Sequence, residues 1–274
     1  MQTAPLGFFH VLSALAAGGL LTSLAAHLRT PLARGYLLFN GTVLLLFMGL
    51  GLWMRWALPL PSLLPYAARA PWVSLEPVLW SLFAALLAIH LLLVRAGRPH
   101  VATRAGLGAC GLGLASLATS AAANLPPDAF FLSALFATVT SALALGAVWS
   151  GWMLGHWYLV TPQLSPRPLL VINTVLATAL GMLALLAATQ AFLAFTMAPA
   201  EFGPAGLLDR YSWWFGLRVG IGVAFPLVLS WMIWRTGRTR SMMAATGLLY
   251  IATGAVLSGE IIARVLYFVA RVPV

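Results

Sequence analysis

The chain has no lysine, a single cysteine and only five acidic residues among 274. Without a lysine there is no amine for a Schiff base, which excludes a retinal pigment or any other lysine-linked cofactor. A lone Cys110 cannot close an internal disulfide, and in a stretch rich in Gly and Ala it reads as a small packing residue. Charge of any kind is scarce: 7% of residues are charged, against roughly 25% in a soluble domain. Short alternating strands, the mark of an outer-membrane barrel, are lacking too.

What fills the chain instead is apolar: 62% hydrophobic residues and a mean hydropathy of +0.97. In the bilayer core no water satisfies peptide groups, so long continuous apolar runs must be helices. A span needs about 20 apolar residues, and such runs lie at 7–28, 36–57, 75–95, 102–123, 131–158, 168–197, 213–235 and 242–269. The expected fold is therefore an all-α integral membrane protein with eight transmembrane helices. The first run has no basic segment before it and exceeds a signal-peptide core, so it is read as a retained helix. The expected location is a bacterial inner (plasma) membrane.

The net charge of +10 sits in short clusters between the spans. It is the pattern of topology signals in lipid, and it excludes nucleic acid as a partner. The connectors after the first, third, fifth and seventh runs hold Arg29 and Arg34; Arg95, Arg98 and Arg104; Arg167; and Arg235, Arg238 and Arg240. By the positive-inside rule these face the cytoplasm, and both termini face outward. The other connectors include Pro59–Pro77, Asn124–Asp128 and Pro199–Ser212, and they carry Glu76, Asp128, Glu201 and Asp209. Tryptophans 53, 56, 72, 80, 213, 214, 231 and 234 fall mostly near span ends, where an amphipathic ring belongs at the headgroup level.

An ordered set of polar residues recurs. His27, Pro31, Arg34 and Asn40 are followed 129, 131, 133 and 133 residues later by His156, Pro162, Arg167 and Asn173, and Arg95-Ala-Gly-Arg by Arg235-Thr-Gly-Arg 140 later. The first four helices, within 1–125, thus correspond to the last four, within 126–274. An even number of spans gives two parallel four-helix repeats related by a pseudo-twofold axis along the membrane normal.

Ionisable groups inside spans are costly and serve as functional candidates. His27, His90 and His156 fall near one depth on the cytoplasmic side. Two imidazoles facing across the axis can ligate a b-type haem; alternatively each donates to C-terminal carbonyls as a helix cap. Toward the outward side lie His10, Arg218, Glu260 and Arg264, with Arg55 and Glu76 nearby. Glu260 and Arg264 share a helical face. A carboxylate, a histidine and arginine donors suit quinol oxidation, whose hydroxyls must lose protons; the competing reading is an ion-pair network fixing helices. No zinc-type spacing, phosphate loop or nucleophile triad stands out, so no metal ligand or catalytic residue is assigned.

Two stretches carry a family resemblance. Gly259-Glu-Ile-Ile-Ala-Arg-Val-Leu-Tyr-Phe resembles the last-helix pattern of the membrane anchors of dimethyl-sulfoxide-reductase-type enzymes and the related polysulfide-reductase membrane subunits. His27-Leu-Arg-Thr-Pro resembles their His-Leu-Gly-Ser-Pro segment, although that segment follows the family's second helix and His27 closes the first. The resemblance implies an eight-helix subunit passing electrons between a membrane quinone and an iron–sulfur partner, with Glu260, Arg264 and Arg218 near the quinone. The expected function is thus a membrane subunit of a respiratory or photosynthetic electron-transfer complex. It would bind quinone or quinol, with a b-type haem as a further cofactor, and partner an iron–sulfur or cytochrome protein. A small-solute or ion transporter and a non-catalytic scaffold are the alternatives.

Overall fold

The computed structural model describes residues 4–57, 70–125, 129–161, 163–197 and 202–274. Pro162, Asp128, Glu201 and most of the Pro59–Pro77 connector lie outside them. The described residues contain eight helices long and apolar enough to cross a membrane. They are α1 (Ala4–Arg29), α2 (Arg34–Ala57), α3 (Ala70–Arg95), α4 (Pro99–Ala123), α5 (Phe131–Val160), α6 (Arg167–Thr196), a seventh span in several parts, and α10 (Met242–Val269). The protein is an all-α, multi-pass integral membrane protein.

Three expectations need correction. The connector expected over Pro199–Ser212 contains a short helix, α7 (Pro204–Arg210). Gly203 stands before it at φ +77°, where only glycine is free of strain, and its N–H donates to Ala270 O at 2.9 Å. α7 thereby closes over the C-terminal residues, burying Leu207 with Val272 and Val274. Secondly, α3 starts five residues earlier than expected and runs through Pro77. Proline supplies no N–H to the carbonyl four residues back, and Arg55 Nη2 donates to that carbonyl, Val73 O, at 2.9 Å. Thirdly, Trp80 is fully buried rather than part of an interfacial belt, and its Nε1 donates to Ser120 Oγ at 3.0 Å. Trp53, Trp56, Trp213 and Trp231 are exposed, as belt residues are.

α1 and α5 form the centre. Lipid tails are as apolar as leucine, so helix association in a membrane depends on close packing, which small residues permit. A Cβ at Gly18 would sit 1.7 Å from Ala142 O, and one at Gly146 would sit 1.9 Å from Gly18 C. The two backbones therefore touch at a pair of glycines 128 residues apart. Around this crossing each half uses the same neighbours: α1 packs on α2, α2 on α3 and α3 on α4, while α5 packs on α6, α6 on the seventh span and that span on α10. A buried hydrogen-bonded set flanks the crossing: Asn40 Nδ2 donates to Ser23 Oγ at 2.9 Å, and Tyr36 OH to Ser150 O at 2.9 Å.

The seventh span is the irregular one. It consists of α8 (Ser212–Val219), a π segment (Gly220–Ala224) and α9 (Phe225–Arg238). Pro226 accounts for its place: it cannot donate to the carbonyl of Gly222, and the widened turn absorbs that break.

Candidate functional site

The π segment places the most charged cluster buried in the protein. Immediately before it, Arg218 turns into the bundle and is 1% exposed. Its Nη2 donates to Glu260 Oε1 on α10 at 2.7 Å. Arg264, one turn further along α10, stands 3.8 Å from Glu260 Oε2. The helices can bring these groups together because both are glycine where they meet. A Cβ at Gly259 would lie 2.2 Å from Gly222 Cα, and at either glycine it would press within 3.2 Å of Arg218 Nη1.

His10 enters from α1 and is 6% exposed. Its ring lies edge-on to Phe9 at 5.2 Å and tilted to Phe268 at 6.0 Å. One turn before it, a Cβ at Gly7 would lie 3.5 Å from Arg264 Cβ, so this stretch of α1 packs beside Arg264. Thus the structure brings together the four outward-side candidates, His10, Arg218, Glu260 and Arg264. Arg55 and Glu76 form a separate buried pair, with Arg55 Nε donating to Glu76 Oε2 at 2.9 Å.

The cluster is incompletely satisfied. His10 Nε2, Arg218 Nε and Nη1, Glu260 Oε2 and Arg264 Nε are all buried without a hydrogen-bond partner. Buried polar groups in proteins are overwhelmingly paired, because each orphan costs about 1–3 kcal/mol and charged ones more. With two guanidinium groups to one carboxylate, the set also has an excess of positive charge. Several donors, a carboxylate oxygen and an imidazole nitrogen are thus left unpaired inside the bundle.

At the Arg-rich end the three histidines divide. His27 and His90 line one cavity, among Leu24, Arg34, Leu37 and Val94. His156 is exposed and lies outside that lining; its Nδ1 is 3.1 Å from Trp152 O, and its ring is edge-on to Trp152. His27 Nδ1 accepts from Leu32 N–H at 3.1 Å, so it ties the turn after α1 rather than donating to a helix carbonyl. His90 Nδ1 donates to Ala102 O at 2.7 Å, on α4 rather than at the end of its own helix. An iron ligand of this type presents Nε2 as a lone pair, with Nδ1–H donating behind it. His90 has that arrangement. A neutral His27 has the reverse, with its proton on Nε2, so the donor set at this end does not fit bis-imidazole haem ligation.

Sequence reasoning missed the π segment and the Gly222–Gly259 contact. The available signal was Gly220-Ile-Gly222 followed by Pro226 within one span, facing Gly259 beside Glu260. Compared with known protein families, curated proteins and solved structures, the chain matches none.

Proposed function

We propose that the chain is the quinone-binding membrane subunit of an electron-transfer complex in a bacterial inner membrane, working with an iron–sulfur or cytochrome partner. The observation that supports this is the buried Arg218–Glu260–Arg264 set beside His10, with its unpartnered donors and acceptors inside the span. A quinone ring has two carbonyl oxygens that accept hydrogen bonds, and arginine donors suit them. As a quinol is oxidised its hydroxyls release protons, and a neutral imidazole or a carboxylate within reach can take them. His10 Nε2 and Glu260 Oε2, both buried without a hydrogen-bond partner, are the groups that would take that role. The resemblance of the Gly259–Phe268 stretch to reductase membrane anchors points the same way. No step in this reading runs through a haem.

The transporter alternative is weaker. Transporter repeats place broken helices at corresponding positions in both halves, whereas here the seventh span is interrupted and α3 is continuous.

The test is quenching of intrinsic tryptophan fluorescence by decylubiquinone in purified, detergent-solubilised protein. His10→Phe keeps a flat ring between Phe9 and Phe268 and removes a nitrogen that holds no hydrogen bond, so thermal stability is expected to stay the same or rise. Quinone affinity is expected to fall about tenfold, the effect of one lost hydrogen bond to a ring oxygen. Saturable binding that His10→Phe leaves unchanged, or no saturable quenching at all, overturns the reading.

A further inference from the structure

The opposite, Arg-rich end holds a cavity with its own polar chemistry. It occupies about 240 Å³ between α1, α2, α3 and α4. Its wall is chiefly apolar, with Leu24, Leu37 and Val94, and its polar lining includes His27, His90 and Arg34. Arg34 is held at the mouth by donating to Arg95 O. His90 is 5% exposed, and its ring fits against Gly106, where a Cβ would lie 3.0 Å from Nδ1 and 3.1 Å from Cε1. A larger residue at 106 would press on that ring, which would have to shift by a few tenths of an ångström.

The two rings present opposite chemistry. A backbone N–H can only donate, so His27 Nδ1, bonded to Leu32 N–H, carries a lone pair, and the proton of the neutral ring is on Nε2. A carbonyl can only accept, so His90 Nδ1, bonded to Ala102 O, carries the proton and Nε2 has the lone pair. One cavity is thus lined by a donor ring and an acceptor ring. A smaller cavity of about 20 Å³ shares Leu24, Leu37 and His90 with it and is lined also by Ser23 and Asn40. Asn40 is 1% exposed, and its Oδ1 is a buried acceptor without a partner. An alkyl chain would satisfy none of these groups.

We infer that this cavity binds a small, neutral hydroxyaryl molecule whose hydroxyl group bridges the two histidines. The hydroxyl oxygen accepts from His27 Nε2–H and the hydroxyl proton is donated to His90 Nε2, while the ring lies against Leu24, Leu37 and Val94. A hydroxyl group does both at one atom, whereas a carbonyl or an ether only accepts. The inference goes beyond the quinone reading. It concerns the other end of the bundle and different residues, so each can fail without the other.

The experiment uses the full chain in lipid nanodiscs with ¹⁵N-labelled histidine, titrated with phenol and, as a matched probe without the hydroxyl proton, anisole. The free protein is expected to show His27 and His90 as opposite tautomers, and phenol to shift both. His27→Asn and His90→Asn keep an atom equivalent to Nδ1 for the bonds to Leu32 N–H and Ala102 O but remove Nε2. Each is expected to weaken phenol binding about tenfold. Anisole is expected to bind about tenfold more weakly than phenol, and His90→Asn should not weaken it further. The proposal is overturned if phenol shifts neither ring, which would mean a water-filled cavity; if both Asn variants bind phenol like the parent protein; or if anisole binds as well as phenol, which would mean a cavity that reads shape alone. Decylubiquinone binding at the His10 site should be unchanged in both Asn variants, which separates the two sites.

Discussion

The α4 end of the first half and the α10 end of the second are built on one frame and filled with different chemistry. Ser120 on α4 and Asn124, the residue that caps it, are each 140 residues before Glu260 and Arg264 on α10, the same spacing that relates Arg95 to Arg235. Across from them, Trp80 on α3 donates to Ser120, and Arg218 on α8 donates to Glu260. In the first half the pair is neutral and the neighbouring charges are matched, Arg55 against Glu76, with Asn124 Nδ2 also donating to Glu76 at 3.4 Å. In the second half a carboxylate faces two guanidinium groups, and atoms of all three residues are without partners. The difference lies in how buried charge is matched: the first half pairs one carboxylate with one guanidinium and adds the neutral Trp80–Ser120 bond, whereas the second sets two guanidinium groups against one carboxylate.

The strongest way to break the comparison is to remove the carboxylate. Glu260→Ala leaves Arg218 and Arg264 buried without their counter-ion, and a loss of about 3–5 kcal/mol is expected. Ser120→Ala on the other side should cost about 1 kcal/mol. Thermal or denaturant unfolding in detergent, followed by circular dichroism, measures both; equal costs would erase the distinction between the halves.

A smaller effect is expected at the helix contact. Gly259→Ala drives a Cβ to within 2.2 Å of Gly222 Cα, so backbone must move, at about 1–3 kcal/mol. Gly254→Ala, on the same helix with nothing within 4 Å of its Cβ, should be neutral or slightly stabilising, because alanine favours helix over glycine. Matching melting temperatures for the two variants would show that the Gly222–Gly259 contact does not position the charged set.

The smallest effect sharpens the comparison from the neutral side. Trp80→Phe keeps most of the apolar bulk and removes one hydrogen bond to Ser120, so about 0.5–1.5 kcal/mol of stability should be lost, while decylubiquinone affinity, read by titration calorimetry because the variant removes one of the fluorescent tryptophans, should stay unaltered. A change in quinone affinity would mean that the first half shares in the site.

The sequence by itself determined the membrane environment, the number of spans and the ends at which arginine and acidic residues gather. Those follow from additive properties: a run of apolar residues must be a helix in lipid wherever it occurs, and clusters of arginine orient the chain segment by segment. It also marked His10, Arg218, Glu260 and Arg264 as candidates, because ionisable residues within apolar runs stand out without any knowledge of their neighbours. Only the tertiary structure decided which candidates meet. His27 and His156, matched in sequence order, part company; His27 lines a cavity with His90 while His156 is exposed, because where a side chain ends up depends on helix rotation about its axis, which a repeat offset does not encode. Trp80 looked like a belt residue for the same reason and is fully buried. The π segment and the Gly222–Gly259 contact were equally out of reach, since close approach of two backbones is a property of a pair of helices and neither sequence segment specifies its partner.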